Sequence, residues 1–135
     1  MQNSKAAATP ILKDSELRED AGGNISFPYR EAVGALAYLM VDTRPDIAYA
    51  LSVVSRHLEA PTKRDVLKVK RIFRYLNGTR NYCITYKRGM QTKLVCYSDA
   101  DHGVDPDTGR SSSGFVCVYG GPISWRSKLQ TSVAI

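Results

Sequence analysis

The stretch Thr62-Lys63-Arg64-Asp65-Val66-Leu67-Lys68-Val69-Lys70-Arg71-Ile72-Phe73-Arg74-Tyr75-Leu76-Asn77-Gly78-Thr79-Arg80-Asn81-Tyr82-Cys83-Ile84-Thr85-Tyr86 contains the change of pattern that decides the fold. Up to Gly78 the apolar residues Val66, Val69, Phe73 and Leu76 recur at three and four places, the spacing of one helical face. Thr62 with Asp65 three residues later reads as a capping box opening this helix, and Asn77-Gly78 predicts a left-handed cap closing it. Beyond Arg80 the period becomes two, with Tyr82, Ile84 and Tyr86 alternating as in a half-buried strand. A helix giving way to strands predicts an α+β order.

Two more helices are predicted upstream. From Arg30 to Met40, Val33, Leu36, Ala37 and Met40 form one apolar face. The next begins at Thr43-Arg44-Pro45-Asp46, where Thr43 is the expected cap and Pro45 suits a first turn that needs no N–H. Ile47, Ala50, Leu51, Val54 and Leu58 supply its buried side, and Pro61 stops it. Residues 1–27 mix Pro10, Gly22, Gly23 and the charged run Lys13 to Asp20 with few large apolar groups, so they read as an extended or flexible lead-in with at most a turn near Ser15.

Downstream, Leu94, Cys96 and Ser98 alternate, and Phe115 to Tyr119 and Ile123 to Trp125 make two further runs. Turns are expected at Arg88-Gly89, at Asp105 to Gly109 and at Gly120-Gly121-Pro122. The predicted organisation is a lead-in over 1–27, a three-helix segment over 28–80 and an antiparallel β-meander of three or four strands over 81–135.

A chain of 135 residues with 43% hydrophobic content suits one small domain or two sub-domain pieces, not a multidomain enzyme. Its 19 basic and 13 acidic residues leave a net charge of +6. The excess is central: residues 27–92 carry 12 basic and 5 acidic groups, and the flanks are balanced or slightly acidic. Such a balance points toward an anionic partner such as nucleic acid. No apolar run reaches the roughly 18 residues a membrane helix needs, and the first residues lack the continuous apolar stretch of a secretion signal. No membrane partner is expected, and the chain reads as soluble and intracellular, in cytoplasm or nucleus. Cys83, Cys96 and Cys117, odd in number and set among apolar neighbours, read as reduced core thiols rather than a disulfide framework. With only His57 and His102 and no CxxC or HxxxH spacing, zinc is not expected.

Two constellations suggest chemistry. Lys68, Lys70, Arg71 and Arg74 lie off the apolar stripe of the third helix, joined by Lys63 and Arg64 before it and Arg80 after it. Such a row can track phosphates, though the same residues also read as a solvated, solubilising helix face. In Ser98-Asp99-Ala100-Asp101 an apolar strand runs into carboxylates, which makes Asp99 a candidate ligand for a hard divalent cation. The plainer reading makes Asp99, Asp101, Asp105 and Asp107 turn residues at a hairpin mouth. After Asp107 there is no Asp or Glu, so the several carboxylates of a two-metal nuclease are lacking in these residues. Neither a GxSxG elbow nor a GxxxxGK[ST] loop occurs.

The strings Pro28-Tyr29-Arg30-Glu31-Ala32-Val33-Gly34-Ala35-Leu36-Ala37-Tyr38-Leu39, Thr43-Arg44-Pro45-Asp46-Ile47-Ala48-Tyr49-Ala50 and Lys70-Arg71-Ile72-Phe73-Arg74-Tyr75-Leu76-Asn77-Gly78-Thr79 resemble the Pol polyprotein of copia-type LTR retrotransposons. So do Tyr97-Ser98-Asp99-Ala100-Asp101, Arg110-Ser111-Ser112-Ser113-Gly114-Phe115 and Ile123-Ser124-Trp125-Arg126-Ser127-Lys128-Leu129-Gln130, in the family's order and at its spacings. Ala8-Thr9-Pro10 resembles the segment preceding them.

The resemblance implies a fragment: a helical thumb and connection region of a reverse transcriptase, followed from about Lys93 by the opening strands of a ribonuclease H domain. It implies that Asp99 matches the first metal-binding aspartate of ribonuclease H, with Mg²⁺ or Mn²⁺ as the cofactor of any activity. It also implies an RNA–DNA hybrid or primer–template as partner of the basic helix. The family's YxDD polymerase pair and later ribonuclease H carboxylates are absent, so the expected fragment is catalytically incomplete. Asp65 stands where the family usually has histidine and His102 where it usually has tryptophan. A ribonuclease H sheet of three strands without a covering helix is expected to expose Phe115, Cys117, Tyr119 and Trp125, and an edge through which copies can associate.

Overall fold

In the computed structural model, residues 4–12, 26–86, 88–89, 93–101, 105 and 108–133 are described. They divide into two units, Met1–Tyr82 and Cys83–Ile135. The expected turn near Ser15, as well as His102 and Asp107, lies outside the described residues.

Helix α1 spans Tyr29–Asp42 and buries Tyr29, Val33 and Leu36, the i, i+4, i+7 positions of one face. The second helical segment is broken into a 3₁₀ turn at Pro45–Ile47, helix α2 at Ala48–Val54 and another 3₁₀ turn at Ser55–His57. Two serines promote the break by turning hydroxyls back onto the backbone: Ser52 Oγ donates to Tyr49 O at 2.8 Å and Ser55 Oγ to Leu51 O at 2.7 Å. The expected cap at Thr43 is not made. Arg44 holds the N-cap position without a side-chain capping bond, and Thr43 closes α1 instead, its N–H reaching Leu39 O.

Helix α3 spans Lys63–Gly78 and opens with the expected Thr62/Asp65 capping box. Its buried stripe is Val66, Val69, Ile72 and Tyr75, with Phe73 and Leu76 half-buried beside it. Leu36, Ile47, Val54, Val69 and Ile72 are the largest fully enclosed side chains of the core, each contributing roughly 2 kcal/mol by leaving water. Gly78 is not a left-handed cap; it lies inside α3, and Thr79 follows at φ −124°.

The second unit is an antiparallel sheet of β1 (Val95–Ala100), β2 (Ser112–Val118) and β3 (Pro122–Leu129), in that order. Gly120, at φ +67°, takes the left-handed position the tight β2–β3 connection requires. Residues 82–86 join no strand, although their alternation predicted one. Tyr82 is tied to the end of α3 through its N–H to Thr79 O, while Tyr86 lies where a Cβ at Gly121 would stand, 2.7 Å from its ring, and donates its hydroxyl to Pro122 O. These contacts occupy the tyrosines without building a ladder.

The cysteine reading is corrected. Cys96 and Cys117 face each other in the β1–β2 register and are joined at an S–S distance of 2.11 Å. Cys83 is free and exposed. Local sequence placed the thiols among apolar neighbours, but pairing register, which sequence spacing does not show, sets Cys96 opposite Cys117. No apolar residue of the sheet unit is buried among the described residues. Phe115 and Tyr119 are exposed as expected, whereas Cys117 and Trp125 are half-buried.

Candidate nucleic-acid interface

The family-like strings around Arg44 and Tyr75 meet in one buried clamp. Arg44, 8% exposed, forks onto Asp46 with Nε to Oδ1 at 2.9 Å and Nη2 to Oδ2 at 2.7 Å. It also donates to Thr79 Oγ1 at 2.7 Å and Thr79 O at 3.3 Å, and its guanidinium carbon lies 5.6 Å from the Tyr75 ring centroid. Tyr75 completes the clamp by donating its hydroxyl to Asp46 Oδ2 at 2.8 Å. Burial by itself would raise the Asp46 carboxyl, but the Arg44 and Tyr75 hydrogen bonds outweigh it and hold the group below the usual carboxylate range. The Asp46 hydrogen bond raises Arg44 further. These groups fix the end of α3 against the loop before α2 and are internal to the fold. Sequence reasoning missed Arg44; its signal was an Arg and an Asp bracketing Pro45, close enough for a fork.

At the other end of α3, Asp65 is 2% exposed. Its Oδ2 accepts from Thr62 N at 2.8 Å and Thr62 Oγ1 at 2.7 Å, and Oδ1 lies 3.0 Å from His57 Nδ1. Burial pushes this carboxyl up, and Thr62 with His57 brings it to a net position below the usual range. Nearby Tyr29 donates to Val54 O at 2.7 Å, and burial raises its phenol strongly.

Between these ends the predicted cationic row is sorted into three environments. Lys63, Arg64, Lys70 and Arg80 are exposed. Lys70 Nζ stands 5.9 Å from the Phe27 ring centroid, and Arg80 donates to Asn77 Oδ1. Lys68, expected off the apolar side, is instead buried at 8% exposure. Arg71 and Arg74 are half-buried and engaged by the N-terminal segment: Arg71 Nη2 donates to Thr9 Oγ1 at 3.0 Å and Arg74 Nε to Lys5 O at 2.7 Å. The stretch read as a lead-in thus packs on α3 at residues 4–11, with Ala7 in the core. No periodicity in the sequence signalled this.

Asp99 lies near the end of β1, opposite Gly114, with Oδ1 accepting from Ala100 N at 2.9 Å. Asp101 accepts from Ser112 N at 2.6 Å, tying the end of β1 across to β2, and Asp105 accepts from Thr108 N at 3.1 Å, shaping a turn. Among the described residues no three His, Cys, Asp or Glu side chains gather as a metal centre would need. Asp99, with one oxygen engaged by Ala100 N, would need further ligands to hold Mg²⁺ or Mn²⁺. Among the described residues no helix is long and apolar enough to cross a membrane.

Comparison with known proteins places these motifs. The Pol polyprotein of transposon TNT 1-94 from Nicotiana tabacum is 44% identical over the whole chain, which spans 11% of that protein. The Pol polyprotein of transposon RE1 from Arabidopsis thaliana is 40% identical over 98% of the chain and 9% of its own length. The chain belongs to the copia-type retrotransposon Pol family. A secreted RxLR effector protein, number 161, of Plasmopara viticola is 46% identical over 80% of the chain and 77% of its own length. The copia-type chain thus spans about a tenth of the Pol polyproteins it matches and most of this shorter relative. No family model and no solved structure matches it.

Proposed function

We propose that this piece of a transposon Pol polyprotein corresponds to reverse-transcriptase thumb and connection helices joined to the opening strands of a ribonuclease H domain, and that its helical unit binds an RNA–DNA hybrid or primer–template. The observation that carries the reading is the set of exposed cations along and just beyond α3: Lys63, Arg64, Lys70 and Arg80. They sit on an element braced at both ends by buried hydrogen-bonded clamps. A rigid helix presenting several cations is suited to phosphate contacts that position a duplex without reading its bases. In this reading hydrolysis needs ligands beyond Asp99, since no group of three or more His, Cys, Asp or Glu side chains gathers among the described residues.

The test is anisotropy titration of a labelled hybrid at several salt concentrations, with wild type beside the Lys63→Gln/Arg64→Gln variant. Removing two phosphate contacts should flatten the slope of log K against log salt by about 2. An unchanged slope would refute the interface. Hybrid incubated with Mg²⁺ or Mn²⁺ should stay intact; cleavage lost in Asp99→Asn would show that a partner chain completes the site.

A second reading rests on the sheet. Its outer strands β1 and β3 are both edges, and Tyr97, Phe115, Tyr119 and Ile123 are exposed. Such a surface favours pairing with another copy. Light scattering across a concentration series should then show mass rising with concentration.

A further inference from the structure

Residues 4–11 lie along α3 without strand or helix of their own and are fastened at four places. Asn77 Nδ2 donates to Ser4 O at 3.3 Å, Arg74 Nε to Lys5 O at 2.7 Å, Ala7 N to Arg74 O at 3.4 Å, and Arg71 Nη2 to Thr9 Oγ1 at 3.0 Å. Ala7 is 7% exposed, and Ile11 packs against the same core. The seat is also steric. A Cβ at Gly78 would stand 2.7 Å from Ala6 Cβ, closer than two carbons pack. Gly78 does not have a positive φ, so the glycine serves this close approach and not a turn.

We propose that this N-terminal strap competes with nucleic acid for α3: seated, it occupies Arg71 and Arg74; lifted, it releases both guanidinium groups to phosphates. The inference rests on the α3 reading above and adds its regulation. The chemistry favours exchange, because the strap offers neutral acceptors, a carbonyl and a hydroxyl, to the two arginines. A phosphate offers charged oxygens, and charge-assisted hydrogen bonds are roughly twice as strong as neutral ones. Arg71 and Arg74 are three residues apart on one helix face, so one backbone can engage both. A polyanion that gains these contacts only when the strap is lifted shifts the population toward the lifted form.

Gly78→Ala tests this in the full chain. Alanine favours the helix over glycine, so α3 is retained while the new methyl strikes Ala6. Trypsin should then cut after Lys5 faster than in wild type, and the slope of log K against log salt for an RNA–DNA hybrid should steepen by about 2, near 0.9 for each added phosphate. Adding Ala6→Gly should restore both readouts, and adding Arg71→Gln with Arg74→Gln to Gly78→Ala should remove the extra slope. Unchanged cleavage in Gly78→Ala would overturn the steric seat. Faster cleavage with an unchanged slope would overturn the competition while leaving α3 binding intact. If wild type and every variant bind without salt dependence, the interface itself is refuted and the competition with it.

Discussion

Asp65 and Asp46 show how single carboxylates brace this fold. Both are held below the usual carboxylate range, Asp65 by Thr62 and His57 and Asp46 by Arg44 and Tyr75, in each case against burial that pushes the other way. A depressed folded pKa stabilises the native state above the unfolded value of about 3.9 and loses that contribution as pH falls through the folded value. Stability of the helical unit should therefore be level with respect to these groups above about pH 5 and drop steadily below about pH 4, as followed by helical circular dichroism in urea. Arg44→Met should cost about 2–3 kcal/mol, because it strands Asp46 and Thr79 in a mostly buried clamp; the urea midpoint checks this. Asp65→Ala should cost about 1 kcal/mol or more through the lost capping box. The capping box was legible because its partners are three residues apart. The Arg44 to Thr79 contact was not, since 35 residues separate them and only the assembled helices bring them together.

At the scale of elements, periodicity located all three helices, because burial on one face imposes a 3.6-residue repeat on the sequence. What it missed lies where packing overrides pattern. Lys68 is inside, and Gly78 answers to Ala6 rather than to a helix cap. Alternation found β1, β2 and β3 but also suggested a strand at 82–86, since alternating side chains do not reveal whether a backbone partner exists. Strand pairing set Cys96 against Cys117, a relation fixed by register and invisible in spacing. Native protein purified without reductant should accordingly show one alkylatable thiol, Cys83, and three after reduction. Closing the loop of 21 residues should stabilise the sheet unit by about 3 kcal/mol in the chain-entropy picture. Three reactive thiols before reduction would contradict the bridge.

For the whole molecule, the two units differ in how they are held. The helical unit has a continuous core from Ala7 to Tyr75, while the sheet unit buries only Asp105, Ser111 and Ser112 among its described residues. Val69→Ala, in the fully enclosed part of that core, should lower the helical unit's stability by about 2 kcal/mol and leave the sheet unit's transition in place. Sequence alone carried the family and the α+β order. The candidate site was legible as a row of cations, but their sorting into exposed, strap-bound and buried groups required the packed helices.

The central claim, that the exposed cations along and just beyond α3 hold nucleic acid by its phosphates, is tested most directly by the salt dependence of hybrid binding. With Lys63, Arg64, Lys70 and Arg80 each neutralising one phosphate, log K should fall linearly with log salt at a slope of about −3 to −4. A slope near zero, or one unchanged when these four residues are made neutral, would contradict it.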